Sequence, residues 1–297
     1  MESRGALLLI LLAATLWGTA GTAQTFAPSG ASPIIVGTMR LAIGGFVLFL
    51  YALMRMSLSR SHLFDGPTML AAVSMASYQL LFFSAVAQTG VAVGTMVAIG
   101  SSPILAGLLE WVYTNRFPAW KWWVSTMVAI TGCVCLVTSS QEVTIDITGI
   151  VLAVGAGLSF AAYTMFNKNL LQTKSPEAVV GVVFTCSAIM LTPLLFIYDT
   201  AWLFQMNGVL VALHLGLIAT ALPYHFYTKG LKNVPSSFAV TLALAEPLTA
   251  TILGVFLLDE VLTPVAWTGV FLIFFALLLL SFSPGKRRGW RPGISRS

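Results

Sequence analysis

The chain has 297 residues, 58% of them hydrophobic and only 8% charged, with a formal net charge of +5. A soluble globular domain carries about 25% charged residues, so a soluble enzyme or binding module is excluded. Apolar runs recur from end to end with no soluble-looking block between them, which reads as one all-α integral membrane domain.

A hydrocarbon core of about 30 Å takes roughly 20 helical residues. Ten stretches predict such helices, near 5–22, 32–52, 67–87, 91–112, 119–138, 148–170, 176–196, 208–230, 236–257 and 264–282. The first, with Arg4 ahead of it and small residues near Ala23, has the look of a signal peptide. The repeat described below requires it instead as a permanent helix. Turn residues mark several connectors: Pro28-Ser29-Gly30, Asp65-Gly66-Pro67, Phe117-Pro118 and Ser175-Pro176. Cys133, Cys135 and Cys186 all lie within apolar spans and read as small buried filler, with no disulfide or metal site. Trp111, Tyr113, Trp120, Trp122 and Trp123 flank helices four and five, where an interfacial aromatic belt is expected.

The charges sort by connector. Arg4, Arg55, Arg60, Arg116, Lys121, Lys168, Lys174, Lys229, Lys232 and the tail cations Lys286, Arg287, Arg288, Arg291 and Arg296 fall on one side. The other side holds Glu142, Asp146, Asp199, Asp259 and Glu260 and no Lys or Arg. Excess cation on cytoplasmic loops orients such proteins, so both termini are expected in the cytoplasm and the chain in an inner membrane, of bacterial type. The basic tail reads as an anchor to anionic lipid, not as a nucleic-acid footprint.

The halves also share a register. Gly5 and Gly149, Gly37 and Gly181, Phe82 and Phe226, and Pro103 and Pro247 each stand 144 residues apart, and the same offset maps the first five spans onto the second five. Five is odd, so the second copy enters the membrane from the opposite side. The expected division is a first five-helix repeat at 1–140, an inverted second repeat at 145–283 and a basic tail at 284–297. Inverted repeats that enclose a midplane site are a signature of secondary transporters.

Leu16-Trp17-Gly18, Met39-Arg40-Leu41, the Lys229-to-Ser237 stretch, Ala245-Glu246-Pro247 and Leu258-Asp259-Glu260 resemble the EamA family of the drug/metabolite transporter superfamily. The resemblance covers nearly the whole chain. It implies ten helices in two inverted repeats around a central cavity, and export of small metabolites such as amino acids. One departure is visible: family exporters of aromatic amino acids place aromatics around the cavity, whereas the fourth helix here offers Gly100, Ser101 and Ser102. That argues against a large aromatic substrate.

Glu246 lies near the middle of its span, where a carboxylate costs roughly 2.5 kcal/mol or more unless a partner or water meets it. It either binds a substrate amine or exchanges a proton during transport, or else it fixes helix packing. Pro247 beside it predicts an irregular helix, and Ser102-Pro103 predicts a matching break in the fourth. Arg40 either binds a substrate carboxylate or clamps helices together, the clamp being the favoured reading. His225, beside Pro223, Tyr224 and Tyr227, is a candidate proton relay. Tyr78 and Gln79 are candidates for the cavity wall. Ser159, Tyr163 and Asn167 recur at four-residue spacing as one polar stripe. The substrate-binding set is therefore Trp17, Tyr78, Gln79, Ser101, Ser102, Tyr163, Tyr224 and Glu246, with Glu246 and His225 as proton-coupling candidates. His214 lies near the outer end of its span, and His62 in a loop where solvation explains it.

No GxxxxGK[ST] loop, HExxH motif or Gly-x-Ser-x-Gly elbow is present, so no cofactor or metal is expected and ATP hydrolysis by this chain is excluded. The expected partners are a small-molecule substrate and membrane lipids, with proton coupling open. The reading is a secondary exporter acting by alternating access. The alternatives are a transporter of drugs or other organic solutes and, at lower weight, a membrane enzyme or a receptor.

Overall fold

A computed structural model describes residues 3–55, 65–115, 117–138, 146–259 and 261–281. Arg60, His62, Arg116, Glu142, Glu260 and the 284–297 tail lie outside these described residues. The helices are α1 (Ser3–Thr25), α2 (Pro33–Met54), α3 (Gly66–Gly90), α4 (Val93–Thr114), α5 (Trp120–Thr138), α6 (Ile147–Leu170), α7 (Pro176–Leu191), α8 (Met206–Leu231), α9 (Ser236–Leu257) and α10 (Pro264–Ser281). Nine spans among the described residues are long and apolar enough to cross a membrane, and the 19-residue α5 completes the predicted ten. The described residues contain no strand.

The punctuation read from sequence sets the helix starts. Asp65 accepts the Thr68 N–H at 3.1 Å, Asp146 accepts that of Gly149 at 2.8 Å and Ser175 that of Ala178 at 3.2 Å, each satisfying an orphaned first-turn donor. Proline stands at the first turn of α2, α3 and α7, where its missing N–H costs nothing. Between α3 and α4 the chain turns at Gly90, with φ 81° and ψ 163°, a conformation open essentially to glycine alone.

Packing reveals the inversion. A Cβ at Gly45 of α2 would stand 2.9 Å from the Phe184 carbonyl oxygen, and one at Gly181 of α7 2.9 Å from that of Leu48. Numbers rise along α2 as they fall along α7, so these repeat mates run antiparallel. Gly132 of α5 meets Ile273 while Gly269 of α10 meets Leu136, which gives the same sense. Small residues let these backbones approach without a hydrophobic drive between them. The remaining contacts obey the same pseudo-twofold: α1 packs on α8 and α9, as α6 packs on α3 and α4. The fold is an all-α membrane bundle of two inverted five-helix repeats.

Two expectations need correcting. Ser102-Pro103 does not break α4, which stays helical through Pro103 while the Ser101 and Ser102 hydroxyls donate to the Ala98 carbonyl at 3.2 and 2.6 Å. Trp122 is not a belt residue. It is fully buried under Gly107 and donates its indole N–H to Thr241 Oγ1 at 3.0 Å, tying α5 to α9. Trp111 and Trp120 are exposed, as a belt requires.

One end of the bundle is basic, with Arg55, Lys121, Lys174, Lys229 and Lys232 among its described residues. The opposite end carries Asp146, Asp199 and Asp259. Ion pairs stitch the basic end: Lys174 Nζ lies 2.7 Å from Asp65 Oδ2, and Lys229 Nζ 3.6 Å from Glu177 Oε1.

Candidate functional site

A cavity of about 740 Å³ runs from the middle of the bundle to the acidic end, where it reaches exposed Thr25 of α1 and half-buried Leu258, just past the end of α9. Toward the basic end it stops against Tyr227 and Tyr163, both fully buried, whose rings pack on the lining Trp17, Phe160 and Tyr224. The molecule is therefore accessible from the acidic end and sealed at the other.

Two irregular helices, α9 and α8, set the charged groups at its floor, the first by carrying one and the second by holding the other. In α9 the helix is interrupted at Ala243–Leu244, and the Glu246 N–H bonds back to the Ala243 carbonyl at 2.9 Å, three residues away instead of four. Pro247 has no N–H to offer that carbonyl. The break sets the Glu246 side chain into the cavity wall.

In α8 the segment His214–Ala221 is a π-helix, followed by Pro223. Proline at 223 leaves the Ala219 carbonyl without its helical donor. Arg40 of α2 supplies one: its Nη2 donates to Ala219 O at 3.0 Å and its Nε to Thr220 Oγ1 at 3.0 Å. The guanidinium thus clamps α2 to α8, as the sequence favoured. It also lines the cavity with its remaining N–H groups uncommitted, so it belongs in the candidate site, a role the sequence reading weighed but left out of its binding set. The absent N–H of Pro223, in a helix that α2 must touch, is the signal that finds it.

Arg40 and Glu246 share this cavity within electrostatic reach of each other and of Tyr224. No ion pair joins them among the described residues, whose only such pairs lie at the basic end. A cation and an anion thus face one space with both ligand positions open.

The walls are aromatic. Trp17 of α1 meets Tyr224 at 4.8 Å and Phe160 at 5.9 Å between ring centroids, and Tyr78 meets Phe160 at 5.5 Å and Phe82 at 5.6 Å. The contrast drawn from Gly100, Ser101 and Ser102 concerns the fourth helix alone, and with these rings in the wall it gives no ground against a large aromatic substrate. The rings come from α1, α3, α6 and α8 instead. Ser102 lines the cavity, and the neighbouring Ile99 carbonyl has lost its helical donor to Pro103.

Of the sequence candidates, Trp17, Tyr78, Ser102, Tyr224 and Glu246 come together around this space. Four do not. Ser101 turns toward Gly157 of α6. Gln79 is 2% exposed in the helix packing, its amide unpartnered. Tyr163 is fully buried behind Tyr224 and Phe184. His225 sits edge-on to Tyr51 at 5.0 Å, with its Nδ1 buried and unpartnered, off the cavity wall. His214 accompanies a smaller, largely apolar cavity between α1, α8 and α9, where its Nε2 meets Thr19 Oγ1 at 3.0 Å.

Comparison with known proteins agrees with this architecture. The chain is 47% identical over 281 residues to the uncharacterized transporter YwfM of Bacillus subtilis, covering 95% of each chain. It is 27% identical over 260 residues to the threonine/homoserine exporter RhtA of Escherichia coli K12, covering 87% of this chain and 84% of RhtA. A crystal structure at 18% identity superposes with a TM-score of 0.81, covering 96% of this chain and 99% of the other, which shows a shared fold. The model of the EamA-like transporter family matches residues 4–138 and 147–282. The protein is a multi-pass membrane transporter, not an enzyme, and it belongs to the EamA-like transporter family.

Proposed function

We propose that this transporter exports small amphoteric metabolites, amino acids foremost, across the cytoplasmic membrane of a bacterium. The observation that carries the reading is the pair of opposite charges, Glu246 and an Arg40 guanidinium with N–H groups left over from its clamp on α8, facing one cavity without pairing to each other. A guanidinium offers a carboxylate paired N–H donors, while a carboxylate accepts an ammonium. The aromatic walls shield both contacts from water, which strengthens them. The name of RhtA supports the same substrate class.

In this reading the basic end is cytoplasmic, as the positive-inside rule has it, and the cavity opens outward. Residues 1–140 and 145–283 act as two rocking repeats, with the 284–297 tail held at the inner leaflet. Glu246 takes up a proton as the substrate ammonium leaves it, coupling export to the proton gradient.

The test uses the purified chain in vesicles loaded with labelled L-threonine or L-homoserine. Export that L-amino acids compete for, and that the matching amines without a carboxylate do not, is the expected result. Equal competition by the amines would sink the amphoteric reading. It would favour a second one, export of organic cations, which the ring cluster around Trp17 supports through cation–π attraction.

A further inference from the structure

The sealed end of the bundle holds polar groups that the cavity does not use. The Tyr163 hydroxyl faces Asn167, one turn further along α6, and Thr228 of α8. All three residues are 0% exposed, and the Tyr163 hydroxyl has Asn167 and Thr228 beside it only in contacts too poor in geometry to make full hydrogen bonds. Polar atoms cut off from water and so poorly partnered are costly to keep. A region with only a packing role would be better served by apolar side chains.

Two charges close this region off. Lys168 Nζ donates to the carbonyls of Leu231 at 2.8 Å and Lys232 at 3.0 Å, at the C-terminal end of α8. Glu110 Oε2 accepts the Ser237 N–H at 2.8 Å, in the first turn of α9. A cation on terminal carbonyls and an anion on first-turn N–H groups each match the helix dipole they meet. Together they pin the short α8–α9 connector to α6 and α4.

The repeat register supplies independent support. Gln24 of α1 and Gly254 of α9 wall the cavity toward its open end. Lys168 stands 144 residues after Gln24, and Glu110 stands 144 before Gly254. When access alternates between inverted repeats, each half takes up the arrangement of the other. The mates of the residues that now wall the vestibule are the two that now hold the basic end shut.

We infer that Tyr163, Asn167 and Thr228 form a second polar subsite, latched by Lys168 and Glu110. It receives water and the hydrogen-bonding groups of a small amphoteric solute once the basic end opens. The solute class rests on the function proposed above; the latch does not.

Hydroxyl-radical footprinting of the full chain in lipid nanodiscs tests the latch without any solute. Oxidation of Tyr163 is expected to rise several-fold in Lys168→Met and Glu110→Gln, with exposed Tyr198 at the acidic end unchanged. A flat Tyr163 signal in both folded variants overturns the latch. If oxidation rises at every tyrosine the variant has unfolded, and Tyr163→Phe decides, since it removes only a poorly partnered hydroxyl. Its KM should rise roughly five- to tenfold for solute presented at the basic end, as for one lost hydrogen bond, and stay at the wild-type value from the acidic end. Wild-type KM from both ends overturns the subsite. A wild-type chain that moves no amino acid, alongside variants that show the footprinting response, would sink the proposed function and leave the latch standing.

Discussion

Arg40 shows how a single side chain serves structure and chemistry together. Its bond to Ala219 O replaces the N–H that Pro223 lacks, so the guanidinium is held in place before any substrate arrives. Arg40→Gln should therefore weaken binding of a carboxylate-bearing solute by roughly tenfold or more, as a lost charged hydrogen bond predicts, with less effect on a matching amine. Competition assays in vesicles check this. For Glu246→Gln the expected outcome is transport that no longer varies with pH, and an unchanged pH profile would remove the proton role. Outside the membrane, Asp65 gives a stability prediction. Burial pushes its carboxyl up, but hydrogen bonds from Lys174 and Thr68 outweigh that and hold it below the ordinary 3.8. Its contribution to stability is thus present above that ordinary value and lost as pH falls through the lower folded one. Asp65→Asn should flatten the acid side of a melting-temperature profile, and an unaltered profile would show the pair to be idle.

At the level of whole helices, regular geometry is interrupted at Gly90, in the π segment of α8 and in the Ala243–Leu244 break of α9. The last two set Arg40 and Glu246 at the cavity floor. Gly90 makes the α3–α4 reversal possible. Gly90→Ala forces a side chain into a backbone region reserved for glycine and should cost about 1–3 kcal/mol, read as a lower melting temperature in detergent. The break at Pro247 is legible from composition, because a proline in mid-span has one dominant consequence. The continuity of α4 through Pro103 is not. There Ser101 and Ser102 hydroxyls bond the preceding turn, and whether a proline bends or breaks a helix depends on neighbours the local sequence does not name.

On the scale of the molecule, antiparallel α2–α7 and α5–α10 contacts make the two copies opposite in orientation. Cysteines placed at exposed Arg55 and at its register mate, exposed Asp199, should therefore react with an impermeant reagent from opposite sides of the membrane, Arg55 from the cytoplasm. Labelling from one side would refute the topology. The number of spans, their lengths, the common register of 144 and the carboxylate in the ninth helix all follow from the sequence alone. The bilayer imposes length and hydropathy on each helix separately, so those properties need no knowledge of neighbours. Which face of each helix meets the cavity was decided only in the tertiary structure. Tyr224 lines it and Tyr163 does not; Trp122 is core and Trp120 is surface. A helix that is apolar all round has no polar face to announce its inner side. Facing is then set by close contacts such as Gly45 on Phe184 and Gly132 on Gly269, which exist only once the two copies have packed.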